Sequence, residues 1–271
     1  VRPEKLAAWF KKPEEGFPTL AFFHGNAGHL GDLNFLLEAF ADQRFGIGAV
    51  SYPGFGTSTG VPSEKALYRA GDALIREMHR EHGTLDKVVP VGFSMGGAVA
   101  LHVATKNQFP AQILLAPFSS FVELAKKKYP YIPAHSMLEH RFENNKKIRL
   151  IDSPTRIYHG DQDEVTSYHH SLRLQQLGGE KVSLRIMPGA SHKQLPLDIV
   201  IDDIQHFLSC QGICPPPQPQ FERDSDKEER RPDFLQNTII MRAPNNRTVV
   251  DLRVGRGADS QKINNGVSSD R

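Results

Sequence analysis

Residues 1 to about 209 alternate short apolar runs with longer amphipathic stretches. This is the pattern of a mostly parallel sheet covered by helices. "KLAAWF" (5–10) reads as a strand near the sheet edge, and "TLAFF" (19–23) as a buried strand. "IGAVSY" (47–52), "KVVPVG" (87–92), "QILLAP" (112–117), "TRIYHG" (155–160) and "VSLRIM" (182–187) continue the series. Between them the spacing predicts helices over 30–43, 63–82, 95–106, 166–177 and 197–209. In the first of these Leu33, Leu36, Leu37 and Phe40 share one face. The rhythm breaks only at 118–152, where basic and aromatic residues mix with prolines in "LAKKKYPYIPAHSMLEHRF". That stretch is predicted to be a short helical cap inserted between two strands.

The pattern ends after the last helix. "CPPPQPQ", "ERDSDKEERRPD" and a polar end rich in Asn, Gly, Ser and Arg follow. Such a composition buries too little apolar surface to offset the entropy of ordering. Residues 1–209 are therefore expected to form one α/β domain and 210–271 a tail mostly without fixed structure, open to a protein partner. Within it, "RTVVDLRV" (247–254) reads as a short strand or a partner-binding segment.

Composition changes this picture little. The chain has 271 residues, 39% of them hydrophobic and 24% charged, which suits a globular protein with a sizeable core. A net charge of +2 gives no electrostatic case for a nucleic-acid partner. The two cysteines, Cys210 and Cys214, lack a second Cys or His pair at zinc spacing and read as free thiols. Such low cysteine use fits a reducing compartment. No apolar run approaches the roughly 20 residues of a membrane span. Because the sequence opens on Val1 and not Met, an anchor or signal before it stays open.

The chemistry centres on Gly92-Phe93-Ser94-Met95-Gly96, where a strand turns into a helix. A G-x-S-x-G at that junction holds its serine on a strained turn, and the glycines leave room for the turn to close. Ser94 is thus the candidate nucleophile. A serine hydroxyl needs a base, a carboxylate to orient that base, and donors for a developing oxyanion. Three loops at strand ends offer them. His24-Gly25-Asn26-Ala27-Gly28 offers the Asn26 amide, which would join the Met95 amide as an oxyanion hole; His24 itself reads as structural. His159-Gly160-Asp161-Gln162-Asp163-Glu164 offers the acid. Asp163 is preferred, with Asp161 as a turn-capping residue and Glu164 opening the next helix. Pro188-Gly189-Ala190-Ser191-His192 offers the base, His192. His169 and His170 are expected to face solvent from the helix after the acid loop.

"FFHGNAGHLGD", "SYPGFGTSTGVPSEKALYRAG", "GFSMGGAVAL", "LLAPFSS", "RIYHGDQDEV" and "MPGASH" together resemble the α/β-hydrolase superfamily. Within it they are most similar to the branch of Bem46-like hydrolases and serine aminopeptidase S33-type (hydrolase-4) domains. The resemblance covers 5–208 and implies the α/β-hydrolase fold, a Ser94–Asp163–His192 triad, an oxyanion hole at Asn26 and Met95, and a small cap at 118–152. It implies an ester or thioester hydrolase acting through an acyl-enzyme on a small lipid-like or acyl substrate, with no metal or organic cofactor. Alternatives are an S33-type peptidase and a non-catalytic interaction module. Members of the branch carry further antiparallel strands, and some a membrane anchor, ahead of the segment matching "KLAAWF". A cytoplasmic or membrane-peripheral location is expected, with Lys126 to Lys128 meeting a head group or lipid surface. Phe118, Phe121, Tyr129, Tyr131, Met137 and Leu138 either line an acyl pocket or pack the cap onto the domain.

Overall fold

The computed structural model describes residues 4–26, 34–41, 43–128, 131, 138–217, 238–243 and 249–251. The predicted alternation is present in it. The strands are β1 (Glu4–Lys11), β2 (Thr19–Phe23), β3 (Gly46–Val50), β4 (Val88–Phe93), β5 (Gln112–Leu115), β6 (Thr155–Gly160) and β7 (Val182–Met187). The helices are α1 (Asn34–Ala41), α2 (Glu64–His82), α3 (Gly96–Ala104), α4 (Phe121–Lys128), α5 (Asn144–Lys147), α6 (His169–Gly178) and α7 (Leu197–Cys210). Two further strands, β8 (Thr238–Ala243) and β9 (Val249–Asp251), follow them.

The sheet runs β7-β6-β5-β4-β2-β3-β1-β8-β9. It is parallel from β7 to β3, and β1 joins antiparallel to β3, with Ala8 opposite Val50. The chain passes from β2 to β3 on one side and then places β4 on the other side of β2. Reversal of the winding leaves a crevice at the C-terminal ends of β2 and β4, because the connections there diverge to opposite sides. The donor loop follows β2 and the serine follows β4.

Strand alternation builds a core on each face. Ala21, Phe23, Val88, Leu114 and Ile157 point toward Leu67, Leu74 and Met78 of α2 and Val99, Leu101 and Val103 of α3. Leu20, Phe22, Val91, Ile113, Leu115 and Tyr158 point toward Leu37 and Phe40 of α1 and Val200, Ile204 and Leu208 of α7. Helix α3 is buried at every residue except His102, which its run of small and branched apolar residues permits. Helix α2 is amphipathic and well capped: Ser63 Oγ accepts from the Ala66 N–H, and Gly83 closes the other end at φ +72°.

Two expectations change here. Part of the stretch predicted to be mostly without structure is strand: β8 pairs antiparallel with β1, Leu6 opposite Met241, and β9, which lies inside the 247–254 segment read as a short strand or partner-binding segment, pairs with β8. The outer row of β1 peptide groups thus meets a partner strand instead of solvent. The rest of 218–271 lies outside the described residues. The helix after the acid loop also begins at His169, so Glu164 stands in the loop and not in the first turn.

The cap stretch is tied together by polar bonds within it and joined to α2 by one more. Asn144 donates its side-chain N–H to the Phe118 carbonyl at 2.9 Å, and the Asn145 N–H donates to the Ser119 carbonyl at 2.8 Å. The Arg141 N–H donates to Glu64 of α2 at 2.8 Å. Phe118, Phe121 and Phe142 pack together, with Phe121 centroids 4.7 Å from each of the other two rings.

Candidate active site

Ser94 sits at the end of β4 with φ +52°, a left-handed conformation that costs a non-glycine residue about 1–3 kcal/mol. The surroundings hold it there. Its N–H donates to the Leu115 carbonyl at 2.8 Å, continuing the β4–β5 pairing, and its carbonyl accepts from the Gly97 N–H at 3.0 Å. A Cβ at Gly92 would lie 2.6 Å from the Gly96 carbonyl oxygen, and one at Gly96 would fall on the Phe23 carbonyl. Both glycines are therefore steric requirements of the turn. No described residue accepts from the Met95 N–H, which opens α3 at its positive end beside Ser94.

The donor loop packs directly on this turn. A Cβ at Gly25 would touch the Phe93 ring at 3.2 Å and Ser94 Cβ at 3.4 Å. Asn26 follows as an exposed bend residue. His24 is buried, its ring 4.1 Å from that of Tyr52 and its Nδ1 2.8 Å from the Gly25 carbonyl. That places His24 in the scaffold of the loop.

The acid and base loops meet across the ends of β6 and β7. His192 Nε2 lies 3.1 Å from Ser94 Oγ, and Nδ1 lies 2.6 Å from Asp163 Oδ2. A carboxylate only accepts, so Nδ1 carries the proton and Nε2 presents its lone pair to the Ser94 hydroxyl. Ser94, Asp163 and His192 are each at most 9% exposed. The second oxygen of Asp163, Oδ1, accepts from the Val165 and Thr166 amides at 2.8 and 2.7 Å. Burial pushes the Asp163 carboxyl up, but hydrogen bonds from His159, His192 and the Thr166 amide outweigh it and hold the carboxyl well below its ordinary value. The group is a carboxylate at neutral pH.

The two loops are laced together. The Asp161 N–H donates to the Met187 carbonyl at 3.2 Å, the Gln162 N–H to the Ala190 carbonyl at 3.1 Å, and the Gly189 N–H to Asp161 Oδ1 at 2.7 Å. Gly160 lies against the Ala190 carbonyl, where a Cβ would collide. Asp161 thus caps the turn of the histidine loop and does not approach the imidazole of His192.

Three neighbours escaped the sequence reading. Phe93, the residue before the serine, lies half-buried with its ring 5.2 Å from that of His192. Thr166 Oγ1 stands 3.0 Å from Asp163 Oδ2. Its spacing three residues after an aspartate is the signal that would have found it. His159 is fully buried, 3.1 Å from Asp163 Oδ2, the oxygen that also faces His192. One expectation is corrected: His170 is buried, with Nδ1 2.7 Å from Ser119 Oγ, because the start of α6 packs on the loop after β5. His169 is exposed.

Of the residues expected to line a pocket, Phe118 is 1% exposed within the core that seats the cap, and Phe121 is half-buried beside it. Tyr131 is 98% exposed, Leu138 is half-buried, and Tyr129 and Met137 lie outside the described residues. No group of three or more potential metal ligands is found among the described residues, nor a helix long and apolar enough to cross a membrane.

Comparison with known proteins agrees with the fold. The hydrolase-4 family model (serine aminopeptidase, S33) matches residues 17–146, which include the serine turn but not the acid and base loops. Alpha/beta hydrolase domain-containing protein 17B of Xenopus laevis is 32% identical over 185 residues, covering 66% of this chain and 62% of that protein. The chain belongs to the α/β-hydrolase superfamily. It spans less than two thirds of that α/β-hydrolase relative. Solved α/β-hydrolase structures align across the domain. Est1E from Butyrivibrio proteoclasticus, with ferulic acid bound, superposes at a TM-score of 0.64 with 18% identity, over 77% of this chain and 96% of its own. A monoacylglycerol lipase of Paleococcus ferrophilus superposes at 0.57 with 19% identity, over 78% and 100%.

Proposed function

We propose that the chain is a serine hydrolase that cleaves carboxylic esters or thioesters through Ser94, His192 and Asp163. The observation that carries this reading is one imidazole within hydrogen-bond reach of both the Ser94 hydroxyl and a buried carboxylate. Ser94 Oγ attacks the acyl carbon as its proton passes to His192 Nε2. Asp163 keeps the imidazole in the required tautomer and stabilises the imidazolium. The tetrahedral oxyanion is held by the Asn26 and Met95 amides; in other hydrolases the loss of one such donor costs about 3–4 kcal/mol. Collapse breaks the bond to the leaving alcohol or thiol, which takes the proton from His192. Water, deprotonated by the same nitrogen, then attacks the acyl-enzyme and releases the acid.

The substrate is a small acyl compound of lipid-like character. Val165, 63% exposed two residues from Asp163, and the exposed Tyr131 of the cap support an apolar approach to the serine. Phe121 is assigned to the same approach, and Phe118 to the floor beneath it. The monoacylglycerol lipase named among the structural neighbours accords with an ester. Contact with a membrane surface through Lys126 and its neighbours, and a protein partner for 210–271, belong to the same proposal.

The description of the matched family favours a second reading, an aminopeptidase. Nitrophenyl esters of increasing acyl length, an acyl thioester and aminoacyl nitroanilides separate the two. Turnover of esters and thioesters without anilides is expected. Turnover of anilides alone would make the chain a peptidase, and none at all would make it a non-catalytic module.

A further inference from the structure

The acyl-transfer scheme leaves a second buried imidazole without a task. His159 is the next-to-last residue of β6, faces the same Asp163 oxygen as His192, and is fully buried. Its Nε2 stands 2.6 Å from the Thr166 carbonyl oxygen and 3.1 Å from Asp163 Oδ2. Its Nδ1 stands 2.6 Å from Ser171 Oγ on α6. A carbonyl and a carboxylate only accept, so Nε2 must carry a proton. The Ser171 hydroxyl is able to donate to Nδ1, which completes a neutral ring without burying another charge.

We propose that His159, held as its neutral Nε2–H tautomer by Ser171, is a positioning residue that donates to Asp163 and fixes the carboxylate for His192. The inference rests on the Ser94–His192–Asp163 reading above. It extends the chain of hydrogen bonds from the serine turn through to α6: Ser94, His192, Asp163, His159, Ser171. The same Nε2–H reaches the Thr166 carbonyl, and Thr166 itself binds both carboxylate oxygens, so His159 braces the acid loop as well as the acid. Few other titratable groups face this pair. Asp161 of the acid loop turns to Gly189, and Tyr158 of β6 turns to Asp203 on the opposite face. His170 of α6 turns to Ser119 and, at 3.9 Å, to Glu123 of α4.

The test compares wild type, His159→Phe and His159→Gln by the rate at which a fluorophosphonate labels Ser94 across pH. Phenylalanine removes the donor and should slow labelling about tenfold, the kinetic equivalent of one hydrogen bond to a charged group. A carboxylate short of one donor holds the His192 proton more strongly, so the acid limb of the profile should also move to higher pH. Glutamine, with an amide N–H directed at the same acceptors, should restore part of the rate. An unchanged rate and limb in folded His159→Phe would overturn the inference while leaving the triad intact. Absence of labelling in wild type would overturn the triad reading and this inference with it. Nitrogen NMR of the imidazoles in the full chain keeps the question open to test if the phenylalanine variant unfolds. A neutral Nε2–H ring at His159 is expected, and a cationic or Nδ1–H ring would contradict the assignment.

Discussion

The carboxylate of Asp161 accepts the N–H of Gly189 at 2.7 Å, tying the loop that carries Asp163 to the loop that carries His192. Two aspartates two positions apart thus have separate tasks, one facing the imidazole and one holding its loop. Asp161→Ala should lower kcat/KM on the order of tenfold by loosening His192, the scale of one hydrogen bond to a charged acceptor. Asp161→Asn, which keeps an acceptor oxygen, should stay near wild type. Asp163→Asn should lose about four orders of magnitude in kcat, as expected when the imidazole is left in the wrong tautomer. Steady-state kinetics on a nitrophenyl ester measure all three, and a greater loss at Asp161 than at Asp163 would reverse the assignment.

The depressed carboxyl of Asp163 links stability to pH. Its ordinary value is 3.8 and the folded protein holds it lower. The stabilisation is therefore complete above about 4 and is lost as pH falls through that value toward the folded one. Urea unfolding at pH 6 and at pH 3 should show a larger drop for wild type than for Asp163→Asn.

Gly96 and Gly97 look alike in sequence and differ in space. A Cβ at Gly96 falls on the Phe23 carbonyl, whereas one at Gly97 meets nothing nearer than the Pro117 side chain at 3.4 Å. Gly96→Ala should cost on the order of 3 kcal/mol through forced backbone movement. Gly97→Ala, inside a helix, should be tolerated, since its better helix propensity is worth about 1 kcal/mol. Thermal unfolding of the two variants checks the contrast.

Lys147 ends α5 within the cap stretch, bonded to the Tyr68 hydroxyl of α2 and, at 3.2 Å, to Asn144. Burial pulls its amine down from 10.5 to about 8, against the pull of Glu64 and Glu143. Below that value both folded and unfolded chains are protonated and the desolvation penalty is fully present. Between pH 8 and 10.5 the unfolded chain binds more protons, so stability contributed by this site rises with pH. The stability difference between wild type and Lys147→Met should shift in favour of wild type over that interval. A difference independent of pH would show that Lys147 is charged throughout.

Much of this was legible along the chain because the relevant physics is local. Parallel strands buried on both faces read as apolar runs, and the G-x-S-x-G turn is legible because Gly92 and Gly96 are required sterically. The ordering of Ser94, Asp163 and His192 at strand ends followed from the topology those runs imply. What could not be read depends on partners distant in sequence. His170 is buried because α6 packs on Ser119, 51 residues away. Phe118 turns into the core because Phe142 returns beneath it. The pairing of Thr238–Ala243 with β1 joins segments far apart in sequence, and the polar residues around Ile239, Ile240 and Met241 masked that short apolar run. The role inferred for His159 likewise needs β6, the acid loop and α6 together.

The central claim is that Ser94 is a nucleophile activated by His192. Treating the full chain with a fluorophosphonate and locating the adduct by peptide mass spectrometry tests it most directly. One adduct on Ser94 is predicted, abolished in Ser94→Ala, strongly slowed in His192→Ala, and unaffected in Ser191→Ala. A wild-type chain that stays unlabelled, or one labelled at Ser191 with Ser94 untouched, would contradict it.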